Sequence, residues 1–176
     1  MTFTEDWFHP VNQERLADLG RYVGHVPGLI IEIGSWEGRS TVALANAIHP
    51  RMVHAVDTWA GSPGEISFAL AAERDVYATW QANVAELTEG NVTAHRMGWR
   101  DYVPTITEPV ALCFIDAEHT YTEVRDNILA ILPHLSSGGV LCGDDTQHEP
   151  VRRAVADCLP IHEVWVKGVV WSWRKP

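Results

Sequence analysis

The stretch Leu29–Thr41, LIIEIGSWEGRST, constrains the fold more than any other part of the chain. Leu29, Ile30, Ile31 and Ile33 suit a strand buried in a parallel sheet, Gly34 permits a sharp turn, and Gly38 opens a helix whose backbone can approach a ligand closely. A strand, glycine turn and helix in this order is the unit from which α/β sheets place a nucleotide-type ligand beyond the carboxyl ends of their strands.

Two common versions of that unit are excluded by residue type. A dinucleotide fingerprint needs glycines two and five residues after the first, and those places hold Trp36 and Arg39. A phosphate-cradling loop needs four residues between its glycines followed by Lys, whereas three separate Gly34 from Gly38 and an Arg follows. What remains is an acidic residue, a glycine two further on and another four beyond that: Glu32, Gly34 and Gly38. This pattern resembles the first motif of class I S-adenosylmethionine (SAM) dependent methyltransferases, with Trp36 in place of the usual middle glycine.

The rest of the chain alternates strand-like and helix-like stretches. A leading amphipathic helix is expected over Asn12–Val23, within a helical segment spanning residues 1–25, with Leu16, Leu19 and Val23 on one side. Strands are expected at Leu29–Ile33, Met52–Val56, Val92–Met97, Val110–Ile115 and Val140–Cys142. Helices are expected at Gly38–Ile48, Glu65–Leu87, Glu123–Leu132 and Pro150–Cys158. Near the end, IHEVWVKGVVWSWRK reads as a hairpin turning at Lys167-Gly168. The expected fold class is α/β: a Rossmann-like sheet of parallel strands ending in a β-hairpin, with helices on both faces. At 176 residues it forms a single domain, 1–176. The hairpin extends the resemblance to nearly the whole chain, because the last strand of the class I methyltransferase sheet is antiparallel. The loop Thr58–Gly64, with two glycines and a proline, is a candidate lid.

Composition narrows the partners. Thirteen Lys and Arg against 23 Asp and Glu give a net charge of −10, which disfavours sequence-independent binding to nucleic acid or to an anionic membrane. Cys113, Cys142 and Cys158 lack metal-type spacing and read as free thiols of a reducing compartment. With no long apolar run, the chain is expected to be a soluble, cytoplasmic protein.

Asp57, closing the second strand, stands where an acidic side chain can accept hydrogen bonds from a ribose diol. The resemblance makes it the ribose ligand of SAM and adds Thr58 beside it. Glu32, Gly34 and Gly38 then border the methionine end, with Ser35 and Trp36 on the loop above. Met97, Gly98 and Trp99 occupy the place of the adenine contact.

Chemistry-bearing residues gather in two later segments, VALCFIDAEHTYTEVRDN and GGVLCGDDTQH, each an apolar strand ending in acid. If these strands are neighbours, Asp116, Asp144 and Asp145 converge, and a hard divalent cation is the usual remedy for such repulsion, Mg²⁺ by default in a cell. His148 and Glu149 follow close behind as further candidate ligands. The pattern is similar to the methyltransferase-24 group, relatives of macrolide sugar O-methyltransferases and cephalosporin-biosynthesis methyltransferase-like proteins. There a His or Lys lies three residues after the metal Asp, which makes His119 the catalytic base and Asp116 its partner. Deprotonating a hydroxyl fits that pair on chemical grounds, since imidazole titrates near neutrality. The expected activity is metal-assisted O-methylation of a small hydroxylated molecule such as a sugar, macrolide or phenol. Two alternatives stand beside it: a SAM-binding or partner-binding domain without catalysis, and a nicotinamide-dependent oxidoreductase or epimerase. The second is disfavoured by Trp36, Arg39 and the absence of a Tyr-x-x-x-Lys pair. A short chain leaves an acceptor wall for a second copy to supply, so a homodimer is a plausible assembly. Arg125, Asp126 and Asn127 read as a solvated helix face, Tyr121 as a packing or substrate residue, and the remaining histidines as scattered surface or core positions.

Overall fold

The structure is a computed structural model that describes residues 3–176. In chain order its principal elements are α1 (Pro10–Tyr22), β1 (Leu29–Ile33), α2 (Arg39–Ile48), β2 (Val53–Asp57), α3 (Ile66–Glu73), α4 (Val76–Leu87), β3 (Val92–Arg96), α5 (Trp99–Tyr102), β4 (Val110–Ile115), α6 (Tyr121–Ile131), β5 (Leu135–Gly143), α7 (Glu149–Cys158), β6 (Trp165–Lys167) and β7 (Val170–Arg174). The strands form one sheet in the order β3-β2-β1-β4-β5-β7-β6. β1 to β5 run parallel, while β7 lies antiparallel to both β5 and β6. This is the sheet expected from the sequence, and the hairpin turns at Gly168 (φ 66°), where a residue without a Cβ is favoured.

β1 is a switch point, with β2 on one side and β4 on the other, so the connections leave in opposite directions and open a crevice above it. Register brings the strand ends level. Ile33 pairs with Val56 and with Ile115, and Ile115 pairs with Gly143. Gly34, Asp57, Asp116 and Asp144, each next after or ending these runs, therefore emerge along one edge.

The aliphatic runs of the central strands fill cores on both faces. Ile31, Ile33, Cys113, Ile115 and Leu141 pack under α6 and α7 with Trp171, and Ile30, Leu112, Phe114 and Cys142 pack under α1 and α2 with Leu16 and Leu44. At about 25 cal/mol per Å² of apolar surface, this burial dominates the stability of the domain. Cys113 and Cys142 are buried free thiols. No helix of the described residues is long and apolar enough to cross a membrane.

Several boundaries differ from expectation, each for a local reason. The helix expected over Glu65–Leu87 is two helices, broken at Arg74-Asp75, where Asp75 caps α4 by accepting from the Ala78 amide at 3.0 Å. α3 buries none of its residues, and Ile66 and Phe68 on it are 69% and 52% exposed. β5 begins at Leu135 rather than Val140, and Gly139 keeps this early part of the strand close against neighbouring backbone: a Cβ there would meet the Ser136 carbonyl at 2.9 Å. β2 runs one residue later than expected, and β3 ends at Arg96, one residue short of Met97. Asn127 is not on a solvated face. It is 1% exposed and its amide donates to the Glu123 carbonyl at 2.9 Å. His54 and His95 are part-buried and partner each other, their ring nitrogens lying 3.0 Å apart across β2 and β3.

Candidate active site

The crevice above β1 is a cleft of about 850 Å³. Ser35, Trp36, Asp57, Thr58, Met97, Gly98, Trp99, Asp116, His119, Asp144 and Asp145, all expected at a site, line it, as does Gly34. Glu32 and Gly38 do not; they act from beneath.

Gly34 is required at the turn because its φ is +88° and because an added Cβ would fall 2.0 Å from the Asp116 carbonyl oxygen. The turn after β1 thus rests directly on the turn after β4. Gly38 (φ +91°) precedes α2, and a Cβ there would press into the Trp80 ring at 2.9 Å. Between the two glycines, Asp57 accepts from the Ser35 and Trp36 amides with one oxygen, at 2.7 and 2.9 Å, and from the Trp59 amide with the other, at 2.7 Å. Asp57 therefore pins the loop above β1 to the end of β2. Both tryptophans adopt positive φ, 46° at Trp36 and 53° at Trp59, and Asp145 does so at 67°. Non-glycine residues seldom tolerate this region, and among the described residues all three gather at this edge of the sheet.

Glu32 lies wholly buried below the same loop. One of its carboxyl oxygens accepts from the Ser35 hydroxyl at 2.7 Å and from the Thr41 hydroxyl, and the other has no hydrogen-bond partner. Burial raises its pKa to about 7, against the pull of the Thr41, Ser35 and Ser40 hydroxyls. It braces the loop rather than walling the cleft.

At the other end, His119 sits among carboxylates. Its Nε2 is 2.6 Å from Asp145 Oδ2 and 4.0 Å from Asp116 Oδ1, and its Nδ1 is 3.0 Å from Glu65 Oε1. The Nε2 contact is close but misdirected, an ion pair without an aligned hydrogen bond. Burial opposes a charge on the ring, but Asp116, Asp145 and Glu65 outweigh it and push the pKa up to about 12. Burial likewise works against the Asp145 and Glu65 carboxylates, and contact with His119 holds both below their usual range. Asp144 is pushed up to about 8 by burial and by the neighbouring Asp116 and Asp145.

Asp116, His119 and Asp145 bring their ligand atoms within 4.8 Å of one another, the grouping among the described residues suited to a metal ion. Asp144, the third carboxylate expected there, sits beside them but turns one oxygen to the Asn12 amide at 3.5 Å. His148 approaches Asp145 at 3.7 Å and stacks on the His119 ring at 5.4 Å between centroids. Two carboxylate oxygens beside an imidazole nitrogen form a grouping that fits a divalent cation.

Two parts of the cleft escape sequence reasoning. Glu65, distant in sequence, faces His119. The roof is an N-terminal strap: the Thr4 amide and hydroxyl donate to Glu37 at 2.7 and 2.6 Å, Glu5 pairs with Arg74 at 2.5 Å, Arg39 donates to the Glu5 carbonyl at 2.9 Å, and Trp7 packs on Trp36 at 5.5 Å. Where a helical segment is expected over residues 1–25, the helix starts only at Pro10 and residues 3–9 run as the strap, whose partners only the fold supplies.

Comparison with known proteins agrees with this geometry. Residues 31–146 match the family described as methyltransferase domain. Curated protein sequences yield no match. Among solved structures, the O-methyltransferase NovP superposes with a TM-score of 0.70 at 21% identity, covering 93% of this chain and 80% of NovP. CalS11, a TDP-rhamnose 3'-O-methyltransferase of calicheamicin biosynthesis, gives 0.66 at 19%, covering 93% and 78%. TomG from Streptomyces achromogenes, involved in tomaymycin synthesis and solved with SAM, gives 0.63 at 20%, covering 93% and 79%. At these identities the likeness is one of fold.

Proposed function

The chain belongs to the methyltransferase domain family, and on that premise we propose that it transfers the methyl group of SAM to a hydroxyl oxygen of a small molecule such as a sugar, macrolide or phenol. One observation carries the reading: a loop pinned by Asp57 and an acid-imidazole group at His119 face each other across a single cleft. The volume of that cleft suits a nucleoside-sized ligand together with part of an acceptor.

SAM, when bound, supplies an electrophilic methyl group on a sulfonium. Asp57 would offer its carboxylate to the ribose, the Ser35-Trp36 loop would border the methionine end, and Met97 and Trp99 would offer apolar surface to the adenine. Methyl transfer would form a carbon–oxygen bond as the carbon–sulfur bond breaks, and the acceptor hydroxyl would give up its proton to His119 Nε2. Asp116 and Asp145 would hold a divalent cation beside His119, whose Nε2 stays uncoordinated, and the cation would supply Lewis acidity toward the acceptor hydroxyl. Engaging those two carboxylates would weaken what holds the imidazole charged, which would free Nε2 to act as a base.

Titration calorimetry with SAM, S-adenosylhomocysteine and NADH tests the cofactor: micromolar binding of the first two and none of the third is expected. Tight NADH binding with silence from S-adenosylhomocysteine would overturn the reading. Once a screen of neutral glycosides and phenols yields an acceptor, His119→Ala should lower turnover about 10² to 10⁴-fold while leaving SAM affinity intact.

A further inference from the structure

His119 has two ring nitrogens, and only one faces the acidic pair. Nε2 points to Asp145 and Asp116, whereas Nδ1 points away, to Glu65. Glu65 Oε1 lies 3.0 Å from Nδ1 and 3.1 Å from the His119 backbone nitrogen, joining positions 54 residues apart. An ionised carboxylate only accepts, so both His119 groups must donate to it, and Nδ1 must carry hydrogen. With Nδ1 protonated, the one nitrogen that can present a lone pair is Nε2, on the side of Asp116 and Asp145.

Glu65 itself is set by the loop before it. The Glu65 amide donates to the Ser62 carbonyl at 3.0 Å, and the Ser62 amide donates to the Ser67 hydroxyl at 3.0 Å. Gly61, at φ +71°, packs so tightly that a Cβ would lie 2.3 Å from the Ser67 carbonyl oxygen. These contacts fold residues 58–64 onto the start of α3 and aim the Glu65 side chain across the cleft mouth.

We propose that Glu65 is a positioning residue for methyl transfer: it fixes the orientation and tautomer of His119 so that Nε2 faces the acceptor hydroxyl, and it makes the seating of the 58–64 loop a condition for assembling the base. This rests on the reading of His119 as proton acceptor. The role is the one a carboxylate or carbonyl plays behind a catalytic or metal-bound imidazole, where the outer partner sets which nitrogen is offered.

The test uses the intact protein with S-adenosylhomocysteine and Mg²⁺, ¹⁵N-labelled at histidine, and compares wild type with Glu65→Ala and Glu65→Gln. Long-range ¹H–¹⁵N correlation should show His119 Nδ1 protonated in wild type and in Glu65→Gln, which keeps an acceptor oxygen. In Glu65→Ala the ring should lose that signature and populate the other tautomer. With the acceptor used for His119→Ala, kcat should fall about ten- to a hundredfold in Glu65→Ala and recover to within a few-fold in Glu65→Gln, with affinity for S-adenosylhomocysteine unchanged in both. An unaltered Nδ1 signal and unaltered kcat in Glu65→Ala would overturn the role of Glu65 while His119→Ala still abolished turnover. Full turnover in His119→Ala would instead overturn the base on which the proposal stands.

Discussion

Replacing Glu32 by Gln should change how stability depends on pH more than it changes stability itself. Glu32 is 0% exposed, one of its oxygens has no partner, and burial raises its pKa from 4.5 to about 7. The folded protein therefore keeps this proton up to about pH 7, whereas the unfolded chain releases it near 4.5. Between those values the native state binds more protons, so stability falls as pH rises through the window. The stability linked to the neutral acid is complete below the unfolded value and lost above the folded one. At 1.36 kcal/mol per unit, the displacement corresponds to about 3 kcal/mol. Gln has nearly the same shape and never ionises, so Glu32→Gln should remove that slope. Urea unfolding of both proteins at pH 5 and pH 8.5 measures it: the variant's stability relative to wild type should rise by about 2.5 kcal/mol between the two conditions, the remainder of the effect lying below pH 5. A difference that stays constant across this range would refute the claim that Glu32 is buried with its proton.

Asp57→Ala removes the acceptor for three backbone amides and should weaken SAM by about 1 to 3 kcal/mol, read by calorimetry. Mg²⁺ binding should release a proton from the His119 group, since the ring is held charged by the carboxylates a cation would engage; titrations in buffers of different ionisation heat measure this, and Asp145→Asn should weaken binding. Equal heats in both buffers would refute the linkage. Gly34→Ala should destabilise the fold by about 3 kcal/mol or more, because its Cβ would collide with the Asp116 carbonyl and its φ is left-handed; thermal melts that match wild type would contradict the close approach.

What could be read from sequence is what local pattern encodes. The aliphatic runs with acidic ends placed Asp57, Asp116 and Asp144 correctly at strand termini, because strand composition and register together level those ends. The alternation of elements and the Lys167-Gly168 turn gave the sheet and its antiparallel edge. What escaped depends on separations that periodicity does not carry. Glu65 reaches His119 across 54 residues and Asn12 reaches Asp144 across 132. The break between α3 and α4 turned on one cap at Asp75, invisible beneath a continuous run of helix-forming residues. Asn127 looked solvated because its neighbours are charged, yet helix periodicity turns it inward beside Val124 and Ile128.

The strap over the cleft also has an order in time. Thr4 and Glu5 leave the ribosome before Glu37 and Arg74, the partners that hold them, and closing those contacts spans 33 and 69 residues. Loop-closure entropy grows with such spans, and the strap gains its ion pairs only after α2 and α3 have been made and docked. The roof therefore cannot seat until the chain as far as Arg74 has been made, and its contacts tie the cover of the cleft to the placement of α2 and α3.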